Sequence, residues 1–133
     1  MADSPTSIDY LSWVPLREAL ERLFEEILNS IKALSHENRL KIMMYLLDGT
    51  QSFHGLKLLV GLKKTALANH IKQLLDAQLI QKPEYATYEI TTDGKRLLEA
   101  LVESHEKAAI GRKLREKEKR QLSAGFIRIF FNK

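Results

Sequence analysis

Two short apolar-periodic stretches with almost nothing between them constrain this chain more than any other feature. From Phe53 to Val60 the residues Leu56, Leu59 and Val60 recur at helical steps, and the stretch stops at Gly61. A second stretch, 63–77, carries Leu67, Ile71, Leu74 and Leu75 at the same kind of spacing. Only Gly61-Leu62 joins them. Two helices so closely linked must cross steeply, which is the geometry of a helix-turn-helix.

The flanks supply further elements. Residues 1–14 are polar and irregular, with Pro5 and Pro15 as breakers. Pro15 suits the first turn of a helix, and Leu16, Leu20, Leu23, Phe24, Ile27, Ile31 and Leu34 give that helix a wide apolar stripe. Ser35 is the expected N-cap of the next helix, with Asn38 where an acid would complete a capping box. Leu40, Met43, Met44 and Leu47 form its stripe, and Asp48-Gly49 ends it. Past Leu79 the period changes to two. Ile80-Gln81-Lys82 and Tyr85 to Thr91 predict a small hairpin turning at Pro83-Glu84, with Tyr88 and Ile90 on one face and Glu89 and Thr91 on the other. Thr92 is the expected cap of a last helix bearing Leu97, Leu98, Leu101 and Val102, with a stripe that weakens after Ala109. A nearly all-charged run, GRKLREKEKRQL, leads to GFIRIFFNK. In FIRIFF both alternating faces are largely apolar, so as a terminal strand it would need burial on both sides, against a partner or as the start of a further domain.

The expected fold class is mainly α with a small β-hairpin: a winged helix-turn-helix with an added N-terminal helix and a long C-terminal helix. The expected organisation is 1–30 as an arm and dimerisation helix, 31–98 as the winged domain, 99–122 as a dimerisation and basic helix, and 123–133 as an apolar tail.

Charge alternates along the chain. Residues 31–82 hold eight Lys/Arg against three acids and residues 112–133 hold eight against two, whereas 1–30 and 83–111 are net acidic. Alternating basic blocks fit a polyanion-binding protein, although solvated helix faces with random drift would look similar. There is no cysteine, which excludes disulfides, thiolate metal sites and a cysteine nucleophile. No apolar run approaches the ~18 residues of a membrane span, and the first residues lack the basic-then-apolar order of a signal peptide. The expected location is cytoplasmic, with no membrane partner.

The stretches LSHENRLKIMMYLLDG, GLKKTALANHIKQLLDAQLI and YEITTDGKRLLEAL resemble the winged-helix domains of ArsR-like regulators, and the last also resembles MarR-type regulators. Leu34, Ser35, Arg39, Leu40, Ile42 and Met43 follow the opening pattern of such domains. Gly61, Leu62, Leu67, His70, Ile71, Leu74, Ala77, Leu79 and Ile80 follow the recognition-helix pattern, and Tyr88, Ile90, Thr91, Gly94 and Leu97 follow the closing one. Three features depart from it: Ala68 stands where serine is usual, Gln78 replaces a turn glycine, and the wing is short. The resemblance implies a sequence-specific DNA-binding transcriptional regulator acting as a homodimer. A small-molecule effector, reached through a C-terminal or missing region, is a further partner that it allows. The alternative is a winged helix used as a protein-interaction module.

If Leu67, Ile71 and Leu74 face a core, Lys64, Thr65, Ala68, Asn69 and Lys72 point outward. Asn can bond adenine through two contacts, and Thr can bond a base edge or pack on a thymine methyl. Lys63 and Lys64 sit at the helix N-terminus, where backbone N–H groups also attract phosphate. Lys57, Lys72 and Lys82 read as phosphate contacts, and His70 as a structural or phosphate-contacting residue. The stripes of Leu16, Leu20, Leu23, Phe24 and Ile27, and of Leu97, Leu101 and Val102, exceed what a three-helix core needs and are the expected dimer interface. Glu99, Glu103, His105 and Glu106 are the densest ligand-type cluster, but their spacing does not converge on a metal. No catalytic frame is present, so neither an enzyme nor a cofactor is expected.

Overall fold

The computed structural model describes the backbone of residues 10–131 and the side-chain surroundings of residues 14–122. Along them run α1 (Tyr10–Arg22), α2 (Phe24–Leu34), α3 (Glu37–Leu46), β1 (Gln51–Ser52), α4 (Phe53–Val60), α5 (Lys64–Asp76), β2 (Ile80–Glu84), β3 (Thr87–Ile90) and α6 (Thr92–Phe131). The chain divides into two units, Met1–Gly94 and Lys95–Lys133, the second a continuation of α6.

The core of the first unit lies among α3, α4, α5 and the sheet. Ile42, Met43 and Leu46 from α3, Leu56 from α4, Leu67 and Leu74 from α5, and Ile80 from β2 are its largest fully buried side chains. Each such burial contributes about 1.5–3 kcal/mol. The sheet order is β1-β3-β2, all antiparallel. Tyr88 on the central strand is buried and pairs with Gln51, while Ile90 pairs with Ile80. A bulge separates the Gln81–Glu89 pair from the Glu84–Thr87 pair. Pro83 falls inside it, where a residue without an N–H costs no ladder bond.

This architecture is the mainly α winged helix-turn-helix that the sequence predicts, with several local corrections. The N-terminal apolar stripe is carried by two helices rather than one, with Leu23 between them at φ −103°, ψ 15°. Pro15 lies inside α1, not at its start. The hairpin gains a third strand, β1, and its turn falls at Tyr85-Ala86 rather than Pro83-Glu84. Ser35 closes α2, its hydroxyl donating to Lys32 O at 2.9 Å, and His36 caps α3 instead, its Nδ1 accepting from Asn38 N–H at 3.0 Å. The cap of α6 is Thr91, whose Oγ1 accepts from Gly94 N–H at 2.9 Å, one residue before the expected Thr92. FIRIFF is not a strand: α6 runs on through Phe131. The burial of that segment, and the irregular stretch around Pro5, lie outside the described residues.

Candidate nucleic-acid interface

The turn that presents α5 is built from both sides. Ser52 Oγ accepts from Gly55 N–H at 2.9 Å and starts α4. Gly61 ends it in the left-handed region, φ 75°, with its N–H donating to Lys57 O at 2.9 Å. A residue with a Cβ would be strained there. Lys63 then enters α5 without a side-chain cap, leaving the first N–H groups of that helix free of any capping side chain.

Along α5 the burial alternates at helical spacing. Leu67, His70, Ile71 and Leu74 are buried; Lys64, Thr65, Ala68, Asn69 and Lys72 are exposed, as is Lys63 just before them. The face expected to read DNA is therefore contiguous and open. Lys72 Nζ reaches Asp76 at 2.7 Å across one turn, with both side chains well exposed. Such a pair contributes at most about 1 kcal/mol and leaves the ammonium available to a stronger anion. Lys82, exposed on the wing, holds its Nζ 5.7 Å from the ring centres of both Tyr85 and Tyr88. Lys57 is half-buried near the end of α4.

His70 does not share the outward face. It is 8% exposed and faces inward from α5, with Arg39 Nη1 at 3.1 Å from its Nδ1. Its ring is turned away from the outward residues and toward Arg39 on α3. Arg39 also donates through Nε to Ala33 O and through Nη2 to Lys32 O at 3.3 Å. The ring of His36 lies 4.3 Å from that of His70, tilted by 49°. Burial first, then the neighbouring His36 and the Arg39 charge, hold the His70 imidazole below the usual histidine range. The sequence places Arg39 at a pattern position and His70 in the recognition-helix register, but does not pair them. Their separation of 31 residues carries no periodic signal.

Leu16, Leu20, Leu23 and Phe24 are exposed, Leu16 by 58%, and Ile27 is half-buried. In the second unit Leu101 and Val102 are exposed and Leu97 is half-buried. In the Glu99–Glu106 stretch, Glu103 pairs with Lys107 at 2.9 Å and His105 Nδ1 lies 2.8 Å from Leu101 O. Among the described residues no three His, Asp or Glu side chains converge on a metal position. No described helix is long and apolar enough to cross a membrane.

A three-stranded antiparallel sheet beside two helices joined by a short glycine turn, with one helix face left open, defines a winged helix-turn-helix domain. Residues 28–108 match the N-terminal domain of the methanogenesis regulatory protein FilR1, and the chain belongs to that family. No curated protein matches it. Among solved structures, HlyU from Vibrio cholerae is 29% identical with a TM-score of 0.55, over 61% of this chain and 92% of that one. The transcriptional repressor BigR from Xylella fastidiosa is 26% identical with a TM-score of 0.56, over 64% and 91%. The homodimeric winged helix-turn-helix DNA-binding domain Mb0332 from Mycobacterium bovis, at 21% identity, shares the fold: TM-score 0.58, over 69% and 88%. The winged-helix resemblance in the sequence thus has its counterpart in structure. The family and the Xylella neighbour are regulators by description.

Proposed function

We propose that the chain is a sequence-specific transcriptional regulator that binds double-stranded DNA as a homodimer, with α5 in the major groove. The observation that carries this reading is the open face of α5. Five exposed residues, Lys64, Thr65, Ala68, Asn69 and Lys72, lie opposite four buried ones, behind a turn that Gly61 keeps short. Asn69 and Thr65 read base edges; Lys57, Lys63, Lys64, Lys72 and Lys82 meet phosphates. The exposed leucines of α1 and the exposed Leu101 and Val102 of α6 serve the dimer, which brings two recognition helices to one side of the duplex. The working division is 1–30, 31–98, 99–122 and 123–133, and the site of action is the cytoplasm.

Selection of bound sequences from a random duplex pool tests this. Enrichment of two similar half-sites whose centres lie about one helical turn apart is the expected result. Recovery of no preferred sequence would overturn the base-reading assignment and leave a protein-interaction module as the better account.

A further inference from the structure

The first unit holds a polar cluster that the open face of α5 does not use. Arg39 lies on α3 and reaches two neighbouring helices with one guanidinium. It donates to the last carbonyls of α2, Ala33 O and Lys32 O, and its Nη1 lies 3.1 Å from His70 Nδ1 on α5. A guanidinium has N–H donors and no acceptor. Nδ1 of His70 must therefore be the unprotonated nitrogen, and the ring proton sits on Nε2. His36 is constrained in the same way, because its Nδ1 accepts the Asn38 N–H at 3.0 Å.

We infer that Arg39 is a positioning residue for DNA recognition, clamping α5 to α2 and α3 through the neutral imidazole of His70. The inference rests on the DNA-binding reading above and adds the residue that holds the reading helix in place. His70 is one residue from Asn69 and two from Ala68 and Lys72 on the exposed face. A rotation of α5 that breaks the clamp therefore re-aims those side chains. A proton on His70 Nδ1 would remove the acceptor and set a cation against Arg39, so the clamp opens when His70 charges.

The groups facing His70 account for this. From the link before α3 comes His36, and from α3 itself comes Arg39; Glu37 on α3 pairs with Lys41 at 2.7 Å. From α2 the facing groups are the two carbonyls that Arg39 already holds, and the Lys32 side chain lines a shallow groove against α5 with Asp76. On β2, Lys82 and Glu84 are exposed, with Lys82 held over the tyrosine rings. Thus no carboxylate among the described contacts of His70 favours its charged form.

Acidification gives a readout of opposite sign to ordinary electrostatics. Added positive charge on an exposed surface ordinarily tightens binding to a polyanion. Charging His70 loosens it. The test pairs nitrogen-resolved NMR of the histidine rings, without DNA, with affinity for the selected duplex from pH 7.5 to 5.5. The expected results are an Nε2–H tautomer for His70 and affinity that falls about tenfold for each pH unit below its NMR midpoint. His70→Gln, which keeps an acceptor but cannot charge, should lose the acid drop. In Arg39→Lys, which cannot span three acceptors, the His70 midpoint should move toward that of a free imidazole. An Nδ1–H tautomer, a midpoint unmoved by Arg39→Lys, or an acid drop that survives in His70→Gln overturns the inference. If no duplex binds at any pH, the DNA-binding reading fails, and the tautomer and midpoint still judge the clamp by themselves.

Discussion

Gly94 lies so close beneath Leu79 that a Cβ added to it would stand 2.3 Å from the Leu79 carbonyl oxygen. The same Cβ would press on Ile90 and Met43 at 3.1 Å. The first turn of α6 can therefore approach the α5–β2 connection only because residue 94 has no side chain. Backbone cannot step aside as a flexible side chain can. Gly94→Ala should destabilise the fold by about 1–3 kcal/mol. Urea unfolding followed by circular dichroism measures it, and an unchanged midpoint would mean that this contact is slack.

Gln78 occupies the left-handed region at φ 60°, in the link where the related pattern carries glycine. An L-residue there costs about 1–2 kcal/mol, partly offset by the larger unfolded-state entropy of glycine. Gln78→Gly should raise stability by roughly 0.5–1 kcal/mol. Thermal unfolding with a lower midpoint than the unmutated protein would contradict this reading of the turn.

Folding stability should depend on His70. Its folded-state pKa is lowered, chiefly by burial and then by His36 and Arg39, so the unfolded chain takes up the proton first. Stability is then full above about pH 6.5 and declines as pH falls from there through the folded value. Denaturant midpoints at pH 7.5 and 5.5 should differ in that direction, and the difference should shrink in His70→Gln. A protein more stable at pH 5.5 would refute the assignment.

Much of this was legible in the sequence because it is local. Gly61 stops α4 and the spacing of Leu67, Ile71 and Leu74 sets the buried face of α5, so the open face follows from a 3.6-residue period. What escaped depends on tertiary contacts or on weak local signals. β1 is two residues long and exists by pairing with Tyr88 and Thr87. Ser35 is taken up as the C-cap of α2, so His36 caps α3, with its ring 4.3 Å from that of His70. Arg39 meets His70 across 31 residues. FIRIFF reads as a strand by composition, yet a helix already propagated from Thr92 adds residues more cheaply than a new strand is nucleated.

Asn69 and Lys72 should separate reading from holding. Asn69→Ala should cost about 1–3 kcal/mol on the preferred duplex and little on others. Lys72→Ala should weaken all duplexes alike, and modestly, since Asp76 already shares its ammonium. Equal losses on every sequence for Asn69→Ala would remove it from the base-reading set.

The exposed leucines argue for assembly. Leu20 and Leu101 are 44% and 38% exposed in one chain, within stripes that a second copy would cover. The unmutated protein should sediment as a dimer at micromolar concentration, and Leu20→Glu with Leu101→Glu should give a folded monomer that no longer binds specifically. A monomeric unmutated protein would contradict this.

The central claim is that the basic, open face of α5 binds duplex DNA, and salt dependence tests it most directly. Affinity for the selected duplex, measured from 50 to 200 mM salt, should fall linearly on a log–log plot, with a slope of about −0.9 for each phosphate contacted. A slope several times that value is the expected result, flattening by about one when Lys64 or Lys82 is replaced by alanine. No measurable binding to any duplex at low salt, or binding indifferent to salt, would contradict the account.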